Sequence, residues 1–315
     1  MNVGIIGLGA YLPQKRLTNF DIEKMVDTTD EWIRSRTGIE ERRIADASEK
    51  TSDLAIRAGA EAVKDAGLSA LDIDLILVAT ISPDSNFPSV ACKVQKDLGA
   101  HRAAAFDISA ACSGFLYALT TAKQYVLSGL AKNVLVIAAE KISGLVDWKD
   151  RSTCVLFGDG AGACVVSQVK EGGIIADYLL SYGEQGHLME VVIDETCNPS
   201  ARIVMQGQEL FKVAVNSMAD AVDAVLAKSG LTKADVDWVV PHQANDRIIS
   251  AVAKKLEIPK EKIFINISKY GNMSAASIAV ALFEAVKSGQ IKKGDTVVLV
   301  TFGAGLVAAA NVVKW

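Results

Sequence analysis

Cys112 stands in the run Phe106-Asp-Ile-Ser-Ala-Ala-Cys-Ser-Gly-Phe115, a single thiol among small residues. Apolar spacing at Phe115, Leu119, Ala122 and Val126 marks a helix directly after it. At such a strand-to-helix turn, unpaired backbone N–H groups and the helix dipole favour thiolate, the nucleophilic form. The competing reading is an inert core cysteine, because free Cys is among the most buried residue types. His242, in Trp238-Val-Val-Pro-His-Gln-Ala-Asn-Asp-Arg-Ile248, also follows a strand and precedes a helix. An imidazole there is either a proton carrier or donor, or a satisfied structural residue. Asn272 occupies a third copy of the geometry: a strand over 263–267, then Ser268-Lys-Tyr-Gly-Asn-Met-Ser-Ala-Ala-Ser277, then a helix. Its plain role would be an N-cap. All three lie at carboxyl ends of strands, where open α/β sheets place their sites. A thiol, an imidazole and an amide donor converging there suit acyl transfer with oxyanion stabilisation.

The elements that must position them alternate along the chain. Apolar runs at 3–6, 75–78, 134–138, 236–240 and 297–300 read as buried strands, and helix-period stretches occupy 53–64, 113–127 and 245–256. This predicts an α/β protein with largely parallel sheets covered on both faces. The pattern is also written twice. Asp65-Ala-Gly-Leu-Ser-Ala-Leu-Asp-Ile-Asp74 answers Lys228-Ser-Gly-Leu-Thr-Lys-Ala-Asp-Val-Asp237, with Gly67, Leu68, Asp72 and Asp74 recurring 163 positions later. Ser128-Gly129 and Ser288-Gly289 match at an offset of 160, consistent with a three-residue indel. That second offset places Cys112 opposite Asn272. Two copies of one α/β half are expected, 1–170 carrying the cysteine and 171–315 carrying the histidine and asparagine, with a break at Gln168-Val-Lys-Glu-Gly-Gly173.

Composition narrows the function classes. In 315 residues, half are hydrophobic and the net charge is −4, which argues against a nucleic-acid surface. No run of eighteen apolar residues and no basic signal-peptide region occurs, so no membrane span and a cytoplasmic location are expected. Five cysteines (Cys92, Cys112, Cys154, Cys164, Cys197) without a CxxC pair, and three scattered histidines, give no disulfide framework and no metal site. Gly7-Leu-Gly9 lacks the third glycine of a dinucleotide loop, since Leu12 stands there, and Gly158-Asp-Gly-Ala-Gly162 lacks the Lys-Ser/Thr of a P-loop. Tight turns are the expected explanation of both.

Five motifs in order resemble one family over essentially the whole chain: Asp27-Thr-Thr-Asp-Glu-Trp-Ile-Arg-Ser-Arg-Thr-Gly-Ile-Glu-Glu-Arg-Arg43, Asp107-Ile-Ser-Ala-Ala-Cys-Ser-Gly-Phe115, Asp150-Arg-Ser-Thr-Cys-Val-Leu-Phe-Gly-Asp-Gly-Ala-Gly162, Pro241-His-Gln-Ala-Asn245 and Lys269-Tyr-Gly-Asn272. The chain is similar to the thiolase superfamily, and within it to the β-ketoacyl-acyl-carrier-protein synthase III enzymes that start bacterial fatty-acid synthesis. The resemblance implies a thiolase-like fold of two duplicated α/β halves in a five-layered αβαβα sandwich. It makes Cys112 the acylated nucleophile and His242 with Asn272 the pair that polarises the second thioester. Trp32 and Arg151, with Arg36 nearby, match positions that sandwich the coenzyme A adenine. Gly207, Phe211, Ala214 and Asn245 match the pantetheine tunnel. Phe87 matches a residue that crosses a homodimer to close the partner's acyl pocket. Phe302-Gly303-Ala304-Gly305 matches the loop that completes the oxyanion hole. Lys212, Arg247, Lys254 and Lys255 form a cationic group suited to an acidic carrier protein.

The implied substrates are acyl-CoA and malonyl-acyl-carrier-protein, with no metal or redox cofactor and no nucleic-acid or membrane partner. Elongating synthases use a second histidine where Asn272 stands, and biosynthetic thiolases carry a cysteine in the C-terminal glycine loop. The alternatives kept are a starter-unit condensing enzyme of a secondary-metabolite pathway and a catalytically silent partner of the same fold. Two departures from the family pattern, Met273 after Asn272 and Val307-Ala308 after Leu306, leave the acyl preference open.

Overall fold

The computed structural model describes residues 1–194 and 200–315. The core strands are β1 (Asn2–Tyr11), β2 (Leu75–Ala79), β3 (Ala104–Ile108), β4 (Asn133–Glu140), β5 (Gly160–Val169), β6 (Gly173–Ser181), β7 (Trp238–Pro241), β8 (Thr296–Gly303) and β9 (Val307–Lys314). The helices that matter for the site are α1 (Asp30–Thr37), α2 (Thr51–Asp65), α3 (Gly114–Leu127), α4 (Gly207–Ser229), α5 (Asp246–Leu256) and α6 (Ala276–Lys287). The first sheet runs β1-β5-β4-β2-β3 and the second β6-β9-β8-β7, with Ile263 bridging Val239 beyond β7. These are the same order read along two copies of one half.

Local devices repeat with the topology. Ser69 with Asp72, and Thr232 with Asp235, form equivalent capping boxes. Asp74 Oδ2 accepts from Asn133 N, and Asp237 Oδ2 accepts from Thr296 N, tying each crossover to its next strand. The fold is a five-layered αβαβα sandwich. Helix α2 covers the first sheet from outside, α4 and α5 cover the second, and α3 and α6 fill the middle. All eight residues of β4 and all eight of β8 are buried, as strands covered on both faces must be.

Three expectations need correction. The sheets are mixed: β2 is parallel to β3 and β4, and β7 to β8, whereas β5, β9 and β1 pair antiparallel. The three residues between β8 and β9 make a hairpin, which forces that antiparallel pairing. The segment 263–267 is a single bridge at Ile263 followed by a short helix, Ile267–Tyr270. There the Gln243 side chain donates to Phe264 O at 3.2 Å and accepts from Asn266 N at 3.0 Å, replacing a neighbouring strand. Gly7 and Gly9 are not in a turn but inside β1, beneath α2. A Cβ at Gly9 would stand 2.2 Å from Ala58 O, so glycine is what lets the helix lie on the strand. Gly162, inside β5, meets Ala279 of α6 in the same way.

Candidate active site

Strand β3 ends at Ile108, and a 3-10 turn over Ala111–Ser113 leads into α3. Ala111 adopts φ 45°, which throws Cys112 sharply into the space between the halves. The thiol is buried, and its Sγ–H donates to Ser274 Oγ at 3.6 Å. Burial pushes the Cys112 thiol up to about 12. The expected dipole-stabilised thiolate is therefore a neutral thiol at neutral pH, because loss of hydration outweighs the helix terminus. Cys154 and Cys164 are also buried, Cys92 is exposed, and Cys197 lies outside the described residues.

His242 directly follows β7, and its backbone N–H donates to Val300 O at 2.8 Å. Burial holds the imidazole down to about 3, so it is neutral and carries one N–H. Asn272 is pinned by its backbone: its N–H donates to Leu156 O at 2.8 Å and its carbonyl accepts from Gly158 N at 3.0 Å. Its Oδ1 accepts from Ser274 N at 2.8 Å, which leaves the amide nitrogen as the group to face the cavity that Asn272 lines. The paired-repeat expectation shifts here. Ser274, at φ 48°, is the counterpart of Ala111, so Cys112 answers Ala275 rather than Asn272. The three-residue difference falls beyond the turn: Ser128 lies 17 positions past Ala111, whereas Ser288 lies 14 past Ser274.

Cys112, His242 and Asn272 line one cavity of about 150 Å³. Gly207, Phe211, Ala214 and Asn245 line it as well, and so do Phe302, Gly303 and Ala304. Gly303 lies directly against the nucleophile's turn: a Cβ there would be 2.8 Å from Cys112 N. A second cavity, of about 110 Å³, also reaches Cys112 and is bounded by Ile142, Phe157, Met189, Val191 and Ile203. The arrangement offers a buried thiol, two neutral hydrogen-bond donors, and two apolar spaces that both reach Cys112.

Two family descriptions match the chain: 3-oxoacyl-[acyl-carrier-protein] synthase III over residues 106–183, and the C-terminal part of the same family over 226–315. A beta-ketoacyl-[acyl-carrier-protein] synthase III of Caldanaerobacter subterraneus is 54% identical, across 99% of this chain and 97% of the relative. The crystal structure of 3-oxoacyl-[acyl-carrier-protein] synthase III from Aquifex aeolicus superposes with a TM-score of 0.95 at 52% identity, covering 99% of this chain and 100% of the other. A priming β-ketosynthase of a polyketide pathway superposes with a TM-score of 0.95 at 34% identity, over 99% of this chain and 96% of that one. The chain belongs to the 3-oxoacyl-[acyl-carrier-protein] synthase III family.

Trp32, Arg36, Arg151 and Phe87 lie at the surface of this synthase III chain. The Arg151 guanidinium sits 5.2 Å from the centre of the Trp32 ring, and Arg36 is one turn along α1 from Trp32. Phe87 is 86% exposed and lines neither cavity. Asn245 caps α5 by accepting from Arg247 N at 2.9 Å. The four cations are not equivalent. Arg247 lies 5.8 Å from the centre of the Phe211 ring, and Lys255 donates to Asn216 Oδ1 at 2.7 Å, whereas Lys212 and Lys254 are exposed. Met273 points into the central core and Ala308 is buried in β9, so these two departures do not line the cavities.

Sequence reasoning missed Ser274, whose hydroxyl accepts from the Cys112 thiol, and the completely buried Glu140 at the end of β4. The signal for Glu140 was a lone acid closing a wholly apolar run, Val134-Leu-Val-Ile-Ala-Ala-Glu140. Among the described residues, no group of three or more His, Cys, Asp and Glu is placed to hold a metal ion, and no helix is long and apolar enough to cross a membrane.

Proposed function

We propose that this synthase III chain condenses a short acyl-CoA primer with malonyl-acyl-carrier-protein, giving 3-oxoacyl-acyl-carrier-protein, CO2 and coenzyme A, and so initiates type II fatty-acid synthesis. What carries the reading is the convergence of Cys112, His242 and Asn272 on one cavity continuous with Gly207, Phe211 and Ala214. Cys112 Sγ attacks the primer's thioester and keeps the acyl group, whose chain takes the apolar space beside Ile142 and Ile203. Malonyl-acyl-carrier-protein then enters along the other cavity. Loss of CO2 leaves negative charge on its thioester oxygen, where the His242 N–H and the Asn272 amide donate. Two such donors in a dry site stabilise the enolate until it attacks the acyl-cysteine, and each is worth roughly 3–4 kcal/mol. The backbone N–H of Cys112 and the loop at Gly303 serve the tetrahedral intermediates.

Trp32, Arg36 and Arg151 hold the nucleotide end of coenzyme A, and Phe87 closes the acyl space of a partner subunit in a homodimer. The reaction as written needs no metal or redox group and takes place in the cytoplasm. The units 1–170 and 171–315 each contribute to the site. The test is a two-step assay. Labelled acyl-CoA should leave one acyl group per chain on Cys112, and added malonyl-acyl-carrier-protein should discharge it with one CO2. A chain that takes no acyl group from any primer is not this enzyme.

A further inference from the structure

His242 and Asn272 must offer their N–H groups to one oxygen, yet they come from segments thirty residues apart. His242 is set by the sheet, through its backbone bond to Val300 O. Asn272 lies outside the strands, held to Phe157 by a single bridge, and the segment leading to it leaves the sheet after Ile263.

Four side chains hold that segment. Gln243, the neighbour of His242, donates from Nε2 to Pro241 O at 2.9 Å and to Phe264 O at 3.2 Å. Its Oε1 accepts from Asn266 N at 3.0 Å. Asn266 stands at the start of the short helix Ile267–Tyr270, but its side chain makes no capping bond and donates to Glu284 Oε2 at 2.9 Å. At the other end of that helix the Tyr270 hydroxyl donates to the second oxygen of the same carboxylate, Glu284 Oε1. Glu284 belongs to α6, the helix that the Asn272 turn leads into. The bond from Tyr270 to Glu284 therefore closes the chain on either side of Asn272 into a ring. Gln243 ties that ring to the end of β7, one residue from the imidazole. Gln243, Asn266 and Tyr270 are buried and Glu284 is half-buried, so water does not readily replace a lost bond.

An enolate gains the full effect of two donors only when both lie about 2.7–3.1 Å from its oxygen. Resting on the reaction proposed above, we propose that Gln243 and Glu284 are positioning residues that set the separation of the His242 N–H and the Asn272 amide, Glu284 acting through Asn266 and Tyr270. Neither side chain lines the two cavities at Cys112. Only Gly271 separates Tyr270 from Asn272, so a displaced tyrosine displaces the amide. Burial and the adjacent carboxylate push the Tyr270 phenol up, which keeps its hydroxyl a donor. The Arg43 guanidinium, 5.8 Å from the centre of the ring, steadies the same side chain. The Cys112 turn is set separately, by β3 and by the loop at Gly303. The clamp thus serves decarboxylation and condensation rather than the first acyl transfer.

Four variants test it. Tyr270→Phe removes one hydroxyl, and Gln243→Glu keeps the shape but sets an oxygen against the Pro241 and Phe264 carbonyls. Glu284→Ala is made alone and combined with Tyr270→Phe. Acylation of Cys112 by acyl-CoA and decarboxylation of malonyl-acyl-carrier-protein would be measured separately. For Tyr270→Phe and Gln243→Glu, kcat for decarboxylation should fall about tenfold, while its KM and the acylation rate stay within about twofold of wild type. Because Tyr270 acts through Glu284, the combined variant should decarboxylate no more slowly than Glu284→Ala alone. Equal losses in both half-reactions, or additive losses in the combined variant, would make the network merely structural and overturn the proposal. Should Gln243→Glu fail to fold, Tyr270→Phe decides, since losing one hydroxyl leaves the other bonds in place. Hydrogen exchange without substrate separates the clamp from the reaction. Peptides covering 267–275 should exchange about tenfold faster in Tyr270→Phe, and those covering the Cys112 turn at the wild-type rate. A wild type that releases no CO2 from malonyl-acyl-carrier-protein sinks the proposed reaction, and exchange then decides the clamp alone. Unchanged exchange at 267–275 overturns it.

Discussion

Ala111 and Ser274 hold the same left-handed backbone, with φ of 45° and 48°, at positions 163 residues apart. A non-glycine residue held there costs roughly 1–3 kcal/mol, and the duplication has kept the conformation in both halves. The two turns meet where the Cys112 thiol donates to Ser274 Oγ. Each half carries its turn at the carboxyl end of its own sheet, so neither half alone can assemble the site. Strain at these two positions is the local cost of bringing the Cys112 thiol and the Asn272 amide to the same turn.

The nucleophile and its donors should fail in different ways. Cys112→Ala should give no acyl adduct in an intact-mass spectrum after incubation with acyl-CoA. His242→Ala and Asn272→Ala should still self-acylate, while malonyl decarboxylation falls about 10²–10³-fold, the usual effect of removing one oxyanion donor. An equal loss in both half-reactions for His242→Ala would instead make the imidazole the base for the thiol.

Much of this site is legible in the sequence because its chemistry is carried by side chains at fixed punctuation. Cys112, His242 and Asn272 each sit where an apolar run gives way to small residues, and a strand-to-helix junction follows from that pattern at two of them. The third junction is harder to read. Ile263 and Phe264 look like the start of a strand, but Gln243, distant in the chain, supplies the hydrogen bonds a strand would have needed. Gly7 and Gly9 mislead for a similar reason, since what requires them is the backbone of α2 lying on β1. Ser274 acquires meaning only once the halves are packed, because its contact with Cys112 crosses the molecule.

Gly303→Ala tests the loop. The added Cβ would fall 2.8 Å from Cys112 N and 3.0 Å from Ser113 N, both backbone atoms that cannot rotate away. The turn or the loop must shift, so acylation should slow by at least tenfold while the melting temperature changes little. Normal acylation kinetics would show that the loop takes no part in binding the oxyanion.

Stability should depend on pH through two buried groups of opposite sign. His242, at about 3 in the folded chain against an ordinary 6.5, contributes stability above pH 6.5 that is lost as pH falls toward 3. Glu140, at about 7 against 4.5, contributes stability below pH 4.5 that is lost as pH rises through 7. Between pH 4.5 and 6.5 the two slopes, each at most about 1.4 kcal/mol per pH unit, oppose one another. Glu140→Gln removes one of them. Its urea-unfolding free energy should therefore gain on the wild type from pH 5 to pH 7, and a constant difference would contradict the titration of Glu140 in this range.

Trp32 and Arg151 lie too close to hold a flat ring between them as they stand. Two stacking gaps need roughly 7 Å, and the pair is separated by 5.2 Å. Binding of a nucleotide between them, as proposed above, requires the pair to open. Trp32→Ala should raise the KM for acyl-CoA about tenfold. The kinetics with an acyl-pantetheine lacking the nucleotide should be unchanged. An equal effect on both substrates would place the nucleotide elsewhere.

Carrier-protein docking is best probed at Lys254, because the four cations differ in what they already touch. Lys255 is engaged with Asn216 and lies 3.9 Å from Asp220, so reversing its charge would also create repulsion within the chain. Arg247 lies over Phe211, which lines the main cavity, so Arg247→Glu should disturb the path used by both substrates. Lys212 and Lys254 are exposed, and α4 packs beside α5, so both present charge to an approaching acidic partner. Lys254→Glu and Lys212→Glu should each raise the KM for malonyl-acyl-carrier-protein several-fold while primer transfer from acyl-CoA stays unchanged. Long-range attraction of this kind is screened over roughly 8 Å at physiological ionic strength, so salt added to the wild type should mimic the variants. It should have less effect on the variants themselves, which have already lost part of the attraction. Carrier-protein kinetics that ignore both reversals and salt would mean that the carrier docks on another face and that these lysines serve only hydration.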